Sequence, residues 1–160
     1  MTLKQGSTLF LKIVISVIGI VTLAGLIWFP QIEGRAVNLD LFRIYADPLI
    51  IYSFIASVPF FVALYHGIKL LSYVDQNKVF SESAVQAVKT IKYCAIALSG
   101  FIVVGILYIR LFAHGDDPAG STAVGLFTMF VSIVIATAAA VFERLLQNAV
   151  DIKSENDLTV

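Results

Sequence analysis

The residues of this chain that could do chemistry are few, and they are scattered. Its two histidines, His66 and His114, fall on opposite sides of an apolar stretch. They cannot share a metal or a catalytic triad within one chain. The trio His114, Asp116 and Asp117 has donor types that suit a divalent cation. Adjacent carboxylates in a short loop before Pro118 read better as a solvated helix cap. Cys94 is the single cysteine, so no intrachain disulfide exists. No histidine neighbours it on its own helix, and we read it as a packing residue. There is no glycine-rich phosphate loop, no zinc-ligand spacing and no nucleophile elbow. The expectation is therefore no catalytic residue, no metal and no cofactor, in a chain that is not an enzyme.

The elements that must position any site are long apolar stretches. The chain has 160 residues, 59% of them hydrophobic, and a mean hydropathy of +0.91. Four stretches carry almost no charge: Ile13–Phe29, Leu49–Leu64, Tyr93–Ile109 and Ala119–Phe142. About 20 residues of helix cross a hydrocarbon core of roughly 30 Å. We read an all-α integral membrane protein, a single domain over residues 1–160, with spans at about 9–29, 48–71, 91–111 and 119–142. A cytoplasmic loop would cover 72–92 and a cytoplasmic tail 143–160. Thr22 and Ala24 have a spacing that suits a signal-peptide cleavage site. The apolar run continues through Trp28-Phe29, past the usual h-region of about 7–15 residues, which favours an uncleaved helix.

Basic residues orient the spans. With the N-terminus inside, Lys4, Lys12, Lys69, Lys78, Lys89, Lys92, Arg144 and Lys153 are cytoplasmic, and Arg35, Arg43 and Arg110 are outside. That is eight of the 11 basic residues, and every lysine. The excess of lysine and arginine predicts both termini in the cytoplasm and a multi-pass protein of the cell membrane. A formal net charge of zero gives no basic surface for direct nucleic-acid binding.

Caps and breakers mark the helix ends. Pro30 should stop the first span. Asp47-Pro48 and Asp117-Pro118 each read as an N-cap with proline at N1. Pro59 falls inside the second span, where it should kink the helix. Val37 to Leu41 alternates apolar and polar residues, as either a short strand or an interfacial loop. No acid, base or histidine lies deep in a span, which argues against a pump or channel. The hydroxyls at Ser16, Thr22, Ser53, Ser57, Ser99, Thr128, Ser132 and Thr137 should bond a carbonyl one turn back.

Lipid gives helices no hydrophobic drive to associate, so small residues must let them approach. Ser121, Gly125, Ser132, Ala136 and Ala140 form such a row on the fourth span, with Ala138 and Ala139 beside it. We expect an antiparallel four-helix bundle with the fourth span central. The same row could instead face a second copy in a homo-oligomer.

The non-membrane segments with any pattern lie on the inner side. Asp75 to Lys78 is a turn, Ser81 is an N-cap after Phe80, and Glu82 at N1 suits the helix dipole. Val85, Val88 and Ile91 share a face. Either an elbow lying on the leaflet or an extension of the third span satisfies that pattern. Leu145, Ala149 and Ile152 continue an apolar stripe beyond the fourth span. The polar cluster from Lys153 to Asp157 should end the helix. Leu158-Thr159-Val160 could then add to a sheet edge or dock in a groove.

The ending Asp151-Ile152-Lys153-Ser154-Glu155-Asn156-Asp157-Leu158-Thr159-Val160 resembles that of the bacterial membrane proteins of domain-of-unknown-function family 2975. The stretch Asn77-Lys78-Val79-Phe80-Ser81-Glu82-Ser83 with Val88-Lys89 is similar to the family's loop. Asn77 stands near a position where members often have glycine, and Ser83 near one for asparagine. The resemblance covers nearly the whole chain. It implies a four-helix membrane protein with no established activity. Members are frequently encoded beside a small helix-turn-helix protein, which the resemblance implies as a partner.

Together these readings predict a non-enzymatic regulator or scaffold embedded in the lipid bilayer. Its partner-binding residues would be Phe80, Ser81, Lys153, Ser154, Glu155, Asn156, Asp157, Leu158 and Val160. The alternative is a transporter subunit or sensor that holds an apolar or membrane-active ligand beside Ser53, Ser57 and Pro59.

Overall fold

A computed structural model describes residues 3–32, 44–112 and 119–157. Four helices account for nearly all of them: α1 (Leu3–Ile32), α2 (Pro48–Asp75), α3 (Glu82–Phe112) and α4 (Ala119–Asp157). Each contains a segment long and apolar enough to cross a membrane. Much of their large apolar surface is exposed, including Phe10, Ile20, Trp28, Val104, Phe127 and Phe130. Such a surface, unsuited to water, is the one a bilayer solvates.

Each helix packs on its neighbour in sequence: α1 on α2, α2 on α3, α3 on α4. Among the described residues no contact joins α1 to α4. The helices form an open row, not the closed bundle expected from four antiparallel spans. The fourth span lies at one edge of the row, not at its centre. The small-residue stripe explains why it still packs closely on α3. Ser132, Ala136 and Ala139 are buried, and a Cβ at Gly125 would meet Ile106 Cδ1 at 2.9 Å. That part of the row packs within the chain. Ser121 and Ala138 point outward.

The α1–α2 pair interlocks in the same way. Leu64 sits over Gly19 and Ile15 over Gly67, at 3.2 and 3.6 Å from where a Cβ would be. On α2–α3, Tyr52 fills the space over Gly105 and donates its hydroxyl to the Phe101 carbonyl at 2.5 Å.

Several ends are as the sequence predicts. Asp47 Oδ1 accepts from the Leu49 amide at 2.8 Å, with Pro48 at N1. Ser81 Oγ accepts from the Ala84 amide at 3.3 Å. Two expectations are corrected. Pro30 lies inside α1, which runs on to Ile32. The Tyr45 hydroxyl and the Gln31 amide both donate to the Ile27 carbonyl and hold that last turn. The cluster from Lys153 does not end α4, which reaches Asp157. No glycine or proline occurs from Glu143 to Asp157 to stop it. Of the two placements for Val85 and Val88, extension of the third span is the one observed. α3 is continuous from Glu82, and both valines are buried against protein. α2 passes through Pro59 as one helix. The Val37–Leu41 alternation, the Asp117-Pro118 cap and the His114 trio lie outside the described residues.

The hydroxyls behave as expected. Ser16, Ser53, Ser99, Thr128, Ser132 and Thr137 each donate to the carbonyl four residues earlier, and Ser57 to one three earlier.

Candidate partner-binding surface

The end of the row where α2 turns into α3 is described in full. α2 closes with a six-to-one bond from the Lys78 amide to the Tyr73 carbonyl at 2.8 Å. A five-to-two bond from Asn77 to Val74 accompanies it at 3.2 Å. This is the Schellman arrangement, whose C′ residue is left-handed. Here that residue is Asn77, at φ 54°. Asparagine tolerates this conformation better than other residues with a side chain, although glycine adopts it freely. The glycine preference noted for position 77 therefore has a backbone cause.

Two ion pairs lace neighbouring helices at this same end. Lys12 Nζ of α1 reaches Asp75 Oδ2 of α2 at 2.6 Å, and Thr8 donates to the other oxygen of that carboxylate. Lys92 Nζ of α3 reaches Glu143 Oε2 of α4 at 2.5 Å, with each side chain 19% exposed. Sequence reasoning missed both pairs. The signal available was opposite charge at matched depth on antiparallel neighbours.

At about 1.5 Å per residue the 39 residues of α4 span about 58 Å, nearly twice a hydrocarbon core. Its last part therefore stands clear of the membrane. Leu146 and Val150 turn inward there, toward the protein. Phe142, Leu145 and Ile152 remain exposed. Gln147 and Asp151 are bonded across one turn at 2.9 Å, which stiffens the extension.

Phe80 of the α2–α3 turn meets this extension. It lines a cleft of about 460 Å³ with Ala149, Ile152, Lys153 and Asn156. Its floor is apolar and its rim carries a cation and an amide. Three predicted residues, Phe80, Lys153 and Asn156, are thus brought together from distant parts of the sequence. Ser81 is occupied by capping and by donating to the Lys78 carbonyl at 2.8 Å. Ser154 donates to the Asp151 carbonyl at 2.8 Å, and Glu155 is exposed on the same turn. Asp157 is the last residue of α4; its side chain, and all of Leu158 and Val160, lie outside the described residues. Ala149 and Ile152 were missing from the predicted set, although their stripe was visible in the sequence.

A second, polar cleft of about 380 Å³ separates α2 and α3 near the α2–α3 turn. Lys69, His66 and Tyr73 line one wall, and Glu82, Gln86 and Thr90 the other.

The fold and its exposed apolar belt define a multi-pass α-helical membrane protein. The chain belongs to the family described as "Protein of unknown function (DUF2975)", whose model matches residues 31–160. It is 46% identical to the "Uncharacterized membrane protein YoaS" of Bacillus subtilis (strain 168), over 99% of this chain and 100% of that protein. No solved structure matches it.

Proposed function

We propose that this protein is a non-enzymatic regulator or scaffold that binds a protein partner on the surface made by the α2–α3 turn and the α4 extension. The observation that carries this reading is the cleft in which Phe80 meets Ile152, Lys153 and Asn156. An apolar floor with a charged rim suits a side chain presented by a protein segment. The lysine excess at this end favours its facing the cytoplasm, with both termini there and the protein in the cell membrane. A small helix-turn-helix regulator is the partner that the family resemblance suggests.

The test is affinity capture from native membranes through an N-terminal tag, leaving Val160 free. The intact chain is compared with one lacking Lys153–Val160 and with Ile152→Asp. The reading expects one protein recovered with the intact chain and lost with both variants, while membrane insertion is unchanged. Equal recovery from all three would overturn it. The alternative ligand-binding reading draws on Ser53 and Ser57. Both hydroxyls are committed to carbonyls of their own helix, which favours a packing role for them.

A further inference from the structure

The polar cleft between α2 and α3 takes no part in the proposed protein-binding surface. Its residues follow an order along the helix axes. On α2, His66, Lys69 and Tyr73 succeed one another toward the helix end. Antiparallel α3 sets Thr90, Gln86 and Glu82 along the facing wall. The cleft therefore runs from the edge of the apolar zone, at His66 and Thr90, to the aqueous end, at Glu82.

The deeper groups are bonded within their own helices. His66 Nδ1 is 2.9 Å from the Val62 carbonyl, and Thr90 donates to the Gln86 carbonyl at 2.9 Å. The outer groups differ. Among the described residues, neither the Lys69 ammonium, the Tyr73 hydroxyl nor the Glu82 carboxylate has a hydrogen-bond or ion-pair partner. Lys69 and Tyr73 are four apart and share one helix face, so their donors converge. Glu82 lies one helical turn beyond Gln86, about 6 Å further toward water.

We propose that this cleft binds the headgroup of an aminophospholipid, a phosphoethanolamine ester. Its phosphate would accept from Lys69 and Tyr73, and its primary ammonium would donate to Glu82. The order matches the way such a lipid stands in a leaflet: acyl chains deepest, phosphate next, amine outermost. A purely anionic headgroup would meet Lys69 but also the unpaired Glu82 charge. A quaternary choline has no N–H to donate to that carboxylate. The preference is therefore for the primary amine over both.

Native mass spectrometry of the full chain, released from bilayers holding equal parts phosphatidylethanolamine, phosphatidylcholine and phosphatidylglycerol, tests this. The expected result is a retained phosphatidylethanolamine adduct in severalfold excess over the other two. Lys69→Gln should lower that adduct roughly tenfold, as for loss of one charge-assisted hydrogen bond. Glu82→Gln should bring the ethanolamine-to-choline ratio close to one. Both residues are exposed, and circular dichroism checks that the variants keep their helix content. Water-soluble glycerophosphoethanolamine should not compete at concentrations matching the lipid, because it lacks the chains that hold the headgroup at this depth. Equal retention of the three lipids, preference for phosphatidylglycerol, or an ethanolamine preference indifferent to both substitutions would overturn the proposal.

Discussion

The Lys92–Glu143 pair is where α3 and α4 are joined at the membrane edge, and its contribution can be estimated. At 2.5 Å with each side chain 19% exposed, it is neither a solvated surface pair nor a dry one. Exposed pairs contribute up to about 1 kcal/mol, and breaking a buried one costs about 3–5 kcal/mol. An intermediate site should show a coupling of about 1–2 kcal/mol. The two partners are not equivalent. The Lys92 ammonium also lies 4.7 Å from the centroid of the Tyr93 ring, a cation–π contact that survives loss of Glu143. Glu143→Gln should therefore destabilise by about 1 kcal/mol, with the cation still served by the ring. Lys92→Met loses both contacts and strands a half-buried carboxylate, for about 2 kcal/mol. The double variant should cost less than the sum. The assay is a double-mutant cycle on the purified chain in mixed micelles, unfolded with increasing denaturing detergent and followed by circular dichroism. Coupling below about 0.3 kcal/mol at low salt, or Glu143→Gln costing more than Lys92→Met, would refute this account of the pair.

Other substitutions read separate parts of the structure. Asn77→Gly should leave stability unchanged or raise it by a few tenths of a kcal/mol, while Asn77→Val should cost about 1–2 kcal/mol, because only the latter is strained at φ 54°. The same unfolding assay checks both. Gly125→Val should destabilise by about 1–3 kcal/mol through its clash with Ile106, whereas Gly100→Ala, where a Cβ meets open space, should be neutral or stabilising. Ile152→Asp should abolish partner capture without changing the unfolding midpoint, since Ile152 is 63% exposed.

The spans were legible because nothing but a membrane helix combines that length with that apolar content. Asp47-Pro48 and Ser81 were legible as caps because capping is local chemistry between a side chain and an amide two or three residues on. The open row was not. Which helices touch depends on where small residues face, and a stripe on α4 reads equally well for one neighbour or for several. Pro30 misled because a proline so near the end costs the helix only one late amide bond, while the Tyr45 hydroxyl and the Gln31 side-chain amide hold the last turn through the Ile27 carbonyl. The tail cluster misled because polar residues were weighed as breakers, although lysine and glutamate are good helix formers. At the candidate surface, Phe80 and the tail could each be singled out by local pattern. Their meeting in one cleft could not, because it depends on α3 starting as early as Glu82 and on α4 running on to Asp157 at the same end of the row.

The most direct test of the central claim places a photoreactive amino acid at position 80 or at position 152 of the otherwise intact chain in growing cells. A third site, the lipid-exposed Phe130, serves as control. The account predicts a crosslink to one and the same second protein from 80 and from 152, and none to it from 130. Crosslinks from 80 and 152 only to lipid, to copies of this chain, or to two unrelated proteins would contradict it.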